Sequence, residues 1–392
     1  MQSRKIQTNG RSSPAPARYH DLDALRAFAM LLGIVLHACL FLMPVDAWPI
    51  QDRWADSHDL ENNPYAFVFG VIHGFRMPVF YLISGFFTAM LWQSRGLAGL
   101  ARHRLYRIGL PLLAGTLTII PATNAFFIPV TPLTWMYSWL SSLVHLWFLW
   151  YLVLMTAVFI ACARLGLRFR HPAWWLLVPA SILPQYLMGE GMIGADGSAD
   201  LIPIPHVFGY YLVFYLFGAF FYQKRIEVQR WWSTGLAPAI LVAMPAGYLL
   251  LDPESLGLAP SNAVRWTAAV IGAVYTWLAC FGLLGLFRWI ASKQRYWIRY
   301  VSDASYWLYL GHLPLVLGGQ ALAVSWPVSV HLKFALICVA VTGILLATYR
   351  FGVRYTFVGR VLNGPASVIS QTRRRYVRHS SRRAGQITRD RG

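Results

Sequence analysis

The sequence predicts an all-α membrane protein: a polytopic bundle of about ten transmembrane helices with both termini in the cytoplasm. Three observations indicate this class. First, 57% of the 392 residues are hydrophobic and only 12% are charged, whereas a soluble domain carries about 25% charged residues. Second, the hydrophobic residues gather in runs of about 20, the length of a helix that crosses a bilayer. Third, the connections between runs alternate in charge.

Ten hydrophobic runs are long enough to be considered as spans. The fifth is short and contains Pro179 and Pro184, which predict a kinked helix. The first run is too long for the core of a signal peptide, so we expect no cleavable signal. The predicted spans are 24–43, 65–91, 108–127, 141–162, 173–188, 204–222, 233–251, 265–291, 302–322 and 334–357.

The charge of the connections predicts the orientation. Connection 46–61 carries five carboxylates against the single base Arg53, and the other connections on that side are acidic or nearly uncharged. Because basic connections stay in the cytoplasm, the alternation places both termini there. The basic segments are the amino-terminal tail, 95–107, 164–170, 224–230, 288–299 and the carboxy-terminal tail.

The chain divides into a cytoplasmic amino-terminal tail at 1–23, a transmembrane domain at 24–360 and a basic tail at 361–392, which we expect to be disordered. The formal net charge is +19. Because the bases lie between hydrophobic runs and in the tail, they favour a membrane lipid surface over nucleic acid. The cysteines all lie inside hydrophobic runs without metal-ligand spacing, so we expect neither a disulfide nor a metal.

The first span contains two charged or titratable residues, Arg26 and His37. Eleven residues at about 100° each return the chain to within about 20° of its starting direction, so both side chains share one helix face, about 16 Å apart along the axis. Arg26 lies near the cytoplasmic boundary and His37 in the outer half. Asp303, at the cytoplasmic end of the ninth span, is a candidate counter-ion for Arg26.

The second span carries His73 and Arg76, one helical turn apart. Arg76 is too deep to reach either surface and must therefore face protein or water. Further polar residues of the spans are His145 at the outer end of the fourth and Ser305, Tyr309 and His312 in the ninth.

Each of these residues also has a plain structural interpretation. A membrane histidine is often a hydrogen-bonded packing residue, Arg26 could fix topology from the surface, and His145 beside Trp147 could be interfacial. Three deep histidines and a deep arginine, distributed over three helices, nevertheless argue for a shared polar interior. The absence of deep carboxylates argues against a metal site there.

The spacing from Arg26 to His37 resembles the arginine-x10-histidine motif of the acyltransferase-3 family of integral membrane acyltransferases. Five blocks resemble the family in order, from residue 19 to about 320: LDALRAFAMLLGIVLHA, HGFRMPVFYLISGFF, RHRLYRIGLPLLAG, HLWFLWYLVL and SYWLYLGHLPL. The segments IHGFRM, ISGFF and HLWFL are most similar to the branch that succinylates osmoregulated periplasmic glucans.

This resemblance implies that 24–360 is an acyltransferase domain in the bacterial inner membrane. The implied donor is a cytoplasmic acyl-coenzyme A, either succinyl-CoA or acetyl-CoA as co-substrate, and the implied acceptor is a sugar hydroxyl of a periplasmic glucan. No metal is implied. The branch favours succinyl, acetyl stays open, and the oligomeric state is not determined.

On this hypothesis His37 is the base that accepts the proton of the acceptor hydroxyl, or it is acylated first. Arg76 stabilises the oxyanion or holds the carboxylate of a succinyl donor, and His73 and His312 transfer protons or orient the base. We expect the donor to be bound by Arg26, Arg102, Arg104 and Arg107, and supporting roles for His145, Ser305, Tyr309 and Asp303.

Two other function classes fit the polar residues less well. A transporter or flippase for a glycan or organic anion would also place histidine and arginine along a pathway, but no pair of interrupted helices marks two halves. A non-catalytic scaffold anchored by its basic tail leaves Arg76 unexplained.

Overall fold

The computed structural model describes residues 19–363 except 56–62, 129–130, 135–141, 167–172, 189–196, 198, 251–256, 258, 260 and 294. All regular structure in the described part is helical, which confirms the all-α class. The predicted tails lie outside the described residues, apart from 19–23 and 361–363. The four cysteines are free thiols.

Eight long helices form the described bundle, joined by shorter helical turns. Their bounds are α1 His20–Cys39, α2 Pro64–Arg104, α3 Leu110–Asn124, α4 Trp147–Arg164, α5 Pro205–Gln223, α6 Asn262–Ile290, α7 Tyr296–Ala323 and α8 Val330–Thr348.

Five helical runs of the described chain are long and apolar enough to cross a membrane. They are His20–Leu42, Pro64–Asn124, Val144–Arg164, Asn262–Ile290 and Val330–Val353. Helix occurs in each of the ten ranges named above, but the count of ten spans and the orientation of the termini stay predictions.

The predicted second and third spans belong to one helical run, Pro64–Asn124. The run begins at Asn63, whose side chain accepts a hydrogen bond from the backbone N–H of Tyr65 at 2.9 Å, a typical helix cap. At Gly96 the backbone has φ +68° and departs from helical geometry. Glycine adopts this conformation without a Cβ clash, so the kink falls between the two predicted spans.

The predicted fifth and seventh spans are not continuous α-helices. The fifth consists of a 3₁₀ turn and the short helices Leu177–Ala180 and Ile182–Tyr186, which agrees with the predicted proline kink. The seventh is built from 3₁₀, α and π turns between Arg230 and Leu249. Its prolines at 238 and 245 remove backbone donors and account for the irregular turns.

Helices α2 and α5 approach each other most closely at two glycines. A Cβ at Gly85 would collide with the backbone of Tyr215, and a Cβ at Gly218 would collide with the backbone of Leu82. Small residues at such crossings allow membrane helices to pack backbone to backbone. We call this closely packed helix pair the α2–α5 wall; Arg76 belongs to its α2 helix.

The connection 43–55 folds against the end of the bundle that we predict to face the periplasm. Lys333 of α8 donates to Asp52 at 2.6 Å, and both side chains are buried. The backbone N–H of Asp52 also donates to the carbonyl of Phe41 at 2.9 Å. The buried ion pair therefore fixes the connection beside the carboxyl end of α1.

Candidate active site

A cavity of about 720 Å³ lies between α1, α2, α7 and the start of α4, and the connection 43–55 contributes Ala47 and Trp48 to its lining. Such a volume is typical of a small-molecule site. The described residues that line it are mostly apolar or aromatic, and none of them carries a carboxylate. Its ionisable lining residues are His37, Arg76, His145, Tyr309 and His312.

His37 and His312 form a hydrogen-bonded pair. The Nδ1 atom of His37 lies 3.3 Å from Nε2 of His312 and 3.0 Å from the carbonyl oxygen of Gly33, one turn earlier in α1. The other nitrogen of His312, Nδ1, lies 2.7 Å from the carbonyl oxygen of Tyr309. The two rings are 5.1 Å apart.

These contacts assign the proton positions of the neutral pair. A carbonyl oxygen only accepts, so Nδ1 of His312 must donate to Tyr309 and its Nε2 is left as an acceptor. That Nε2 therefore accepts from the Nδ1–H of His37. Among the residues that the structure describes, the hydrogen bonds to the His37 ring all involve Nδ1, so its Nε2 lone pair is available to a substrate.

His145 brings a third imidazole to the same cavity. Its Nε2 donates to the carbonyl of Leu310 at 3.2 Å, and its ring lies 5.1 Å from that of His312. Its Nδ1 is buried and has no hydrogen-bond partner in the described part of the chain. The preceding residue, Val144, has φ +45°, which is strained for a β-branched residue.

Arg76 is the cation of the cavity. Its Nη1 lies so close to Gly33 that a Cβ there would collide with it. Its Nε is buried without a hydrogen-bond partner among the described residues. Because no described lining residue is a carboxylate, the guanidinium offers an anion a site with little competition from the protein.

A second cavity, of about 240 Å³, contains the arginines of the opposite end of the bundle. It is lined by Arg26, His103, Arg104, Arg107, Ser302, Asp303, Ser305 and Asn363, among others. These cations have protein partners: Arg26 pairs with Asp23 at 3.3 Å, and Arg107 donates to the carbonyl of Leu362 at 2.5 Å.

Arg104 donates hydrogen bonds to residues of its own helix. Its Nη2 donates to the carbonyl of Ser84 at 3.1 Å and to the hydroxyl of Thr88. Tyr215 of α5 donates to the same hydroxyl at 2.9 Å. The guanidinium therefore connects the end of α2 to the α2–α5 wall.

The two cavities meet at three apolar side chains. Met30, Phe80 and Phe148 line both of them. The cavity at the Arg26 end of α1 and the cavity at its His37 end are therefore separated by these three side chains, which we call the apolar neck.

Comparison with known proteins identifies the family of this chain. The profile of the acyltransferase-3 acyltransferase domain matches residues 19–350. The chain belongs to the acyltransferase-3 family. Curated relatives named glucans biosynthesis protein C, from Salmonella paratyphi B, Salmonella dublin and Salmonella heidelberg, are each 25% identical over 391 residues, covering 92% of this chain and 98% of the relative. No solved structure matches the chain.

Family membership and the long apolar helices make the protein a multi-pass membrane acyltransferase. The structure of this acyltransferase-3 protein sorts the predicted site residues into three groups. His37, Arg76, His145, Tyr309 and His312 line the large cavity. Arg26, Arg104, Arg107, Asp303 and Ser305 line the small one.

Two predicted residues are not among the described lining of either cavity. His73 is half-buried and stacks on Phe69 with ring centres 5.2 Å apart. Arg102 is exposed; it lies about 200° around the helix from Arg104 and so points away from the small cavity. Asp303 lines the same cavity as Arg26, and its carboxylate lies 3.9 Å from Nε of Arg299.

Sequence reasoning missed four residues of the site. Gly33 makes room for Arg76, His103 lines the small cavity, and Trp48 and Gln320 contact His37 or its backbone. The available signals were weak: a glycine one turn before a motif histidine, and an amide in the same span as His312.

Proposed function

We propose that this protein is an O-acyltransferase of the bacterial inner membrane. It would move an acyl group, with succinyl favoured over acetyl, from cytoplasmic acyl-CoA to a sugar hydroxyl of a periplasmic glucan. The observation that carries the proposal is the His37–His312 pair, which leaves one basic nitrogen of His37 in a cavity that also contains Arg76. Family membership and the printed names of the relatives support the reaction class and the acceptor.

The proton positions of His37 and His312 suggest a reaction path. The acceptor hydroxyl gives its proton to Nε2 of His37 while its oxygen attacks the thioester carbonyl. The carbon–sulfur bond then breaks, the proton passes from His37 to the departing thiolate, and free coenzyme A leaves. During transfer, Nε2 of His312 accepts from Nδ1–H of His37 and stabilises the imidazolium. Prior acylation of His37 by the donor is the alternative order.

Arg76 supplies positive charge to this path. Its guanidinium would stabilise the oxyanion of the tetrahedral intermediate, or hold the free carboxylate of a succinyl donor as a forked pair. Both roles fit a cation whose Nε has no described partner.

The small cavity is the proposed entrance for the donor. Arg26, His103 and Arg107 line it and would contact the phosphates of coenzyme A. The thin pantetheine arm would pass the neck formed by Met30, Phe80 and Phe148 and bring the thioester to His37. The basic tail, which lies outside the described residues, is proposed to bind anionic lipid.

The proposal is tested with the purified full-length chain in detergent, supplied with succinyl-CoA or acetyl-CoA and a glucan. We expect release of free thiol that depends on the chain and on the glucan, together with a glucan whose mass increases by the acyl group. A transporter or flippase would leave both substrates chemically unchanged in detergent, because it needs two compartments. That result would overturn the proposal.

A further inference from the structure

We propose that Trp48 is a binding residue for the acceptor, a fixed aromatic platform on which a sugar ring of the glucan stacks beside His37. This inference rests on the proposed function and adds the acceptor subsite to it. It assigns a role to the connection 43–55, which is not part of any transmembrane helix.

Two consecutive hydrogen bonds hold the indole of Trp48 in place. Its indole N–H donates to the side-chain oxygen of Gln320 at 3.0 Å, and the amide nitrogen of Gln320 donates to the carbonyl of His37 at 3.0 Å. Gln320 is fully buried. The amide thus connects the indole to the backbone of the proposed base, and a buried indole N–H needs such a partner.

The indole ring faces the proposed catalytic imidazole. The rings of Trp48 and His37 are nearly parallel, with an interplanar angle of 19° and centres 6.0 Å apart. Trp48 is half-buried and lines the large cavity. Part of its surface is therefore available to a ligand next to His37.

The connection that carries Trp48 is anchored independently. The buried ion pair between Asp52 and Lys333 fixes the connection to α8, and the backbone bond from Asp52 to Phe41 fixes it to the end of α1. A preorganised platform costs little ordering entropy when a ligand binds.

The surroundings of Trp48 suit a neutral sugar. Phe127 packs edge-on against it at 6.0 Å, and Phe127 and Trp147 also line the cavity. One face of a pyranose ring presents C–H groups, which pack on an aromatic ring, while its hydroxyls project from the ring edge. Stacking on Trp48 would hold such a hydroxyl near His37 without any charged contact to the acceptor.

The test compares Trp48→Ala and Trp48→Phe with the matched control Trp54→Phe. Trp54 belongs to the same connection but packs edge-on against Tyr65, and it is not among the described residues that line the cavity. Each purified variant is assayed for the KM of the glucan, the KM of succinyl-CoA, and thiol release from succinyl-CoA without glucan.

We expect Trp48→Ala to raise the KM of the glucan about tenfold, the equivalent of losing one strong aromatic stack. Trp48→Phe should raise it less, and Trp54→Phe should leave it unchanged. The KM of succinyl-CoA should stay at its wild-type value in all three, and Trp54→Phe should also keep the wild-type thiol release without glucan. An unchanged KM of the glucan in Trp48→Ala, or an equal rise in the KM of the donor, would overturn the inference. Failure of the wild-type chain to acylate the glucan would instead refute the proposed function.

Discussion

The two cavities contain similar basic side chains but differ in the acidic groups near them. In the small cavity Arg26 pairs with Asp23, and Arg107 donates to a backbone carbonyl. Each cavity contains buried nitrogens without a hydrogen-bond partner in the described part of the chain, but no described residue that lines the large cavity carries a carboxylate. The difference lies in the carboxylates, which accompany the cations of the small cavity and are absent from the described lining of the large one.

A buried polar group without a partner costs about 1–3 kcal/mol. A ligand can supply the missing partner, and in the large cavity no described carboxylate of the lining competes with an anionic ligand for Arg76. We therefore propose that the chemistry occurs in the large cavity and that the small cavity supplies donor contacts and helix anchoring.

Removing the proposed base should have the largest effect. We expect His37→Ala to lower glucan acylation by about 10²- to 10⁴-fold, because the hydroxyl loses its proton acceptor. The measurement is the mass of periplasmic glucans from cells with equal membrane levels of each variant. The control is His206→Ala, at the start of α5 and outside the described lining of both cavities. Wild-type acylation by His37→Ala would remove this residue from the chemistry.

Replacing Arg76 should have the next largest effect and should depend on the donor. We expect Arg76→Ala to lower transfer by about 10²-fold, since one preorganised charge partner is lost. Rates with succinyl-CoA and acetyl-CoA separate its two proposed roles, because only succinyl carries a carboxylate. Equal losses of rate with the two donors would exclude a role of Arg76 in holding the donor carboxylate. Full rates with both donors would exclude Arg76 from the reaction altogether. Arg76→Lys, which keeps the charge but loses the fork, should retain part of the activity.

The fold and part of the site could be predicted from the sequence. Helical periodicity placed Arg26 and His37 on one face of α1, and the two residues do line cavities that meet at Met30 on that helix. Their separation along the axis explains why they belong to different cavities. Proline positions likewise predicted the broken fifth segment.

Other parts of the site could not be predicted, for physical reasons. Trp48 lies in a connection, where no helical period relates it to His37. The role of Gly33 depends on the guanidinium of a second helix, so it is invisible in α1 alone. His73 and Arg76 are one turn apart, but helices that surround a cavity expose only a narrow strip to it, and His73 stacks on Phe69 instead.

Filling the space at Gly33 should have an intermediate effect. A Cβ at this position would collide with Nη1 of Arg76, so we expect Gly33→Ala to displace the guanidinium and lower transfer about tenfold. A misplaced catalytic group can cost more than that. Gly209→Ala is the matched control, because a Cβ at Gly209 in α5 meets nothing within 4 Å. The measurement is kcat in detergent, and equal kcat values for both alanine variants would contradict the proposed contact.

The smallest effect should come from a substitution in the small cavity, the proposed entrance for the donor. Arg26 is partly exposed, with 38% of its side-chain surface accessible, so its attraction for donor phosphates is screened by water. We expect Arg26→Ala to raise the KM of acyl-CoA about fivefold and to leave the KM of the glucan unchanged. Arg102→Ala should change neither value, because this exposed side chain is not among the described lining of the small cavity. If Arg102→Ala raised the KM of the donor as much as Arg26→Ala, general basic charge rather than the small cavity would bind the donor.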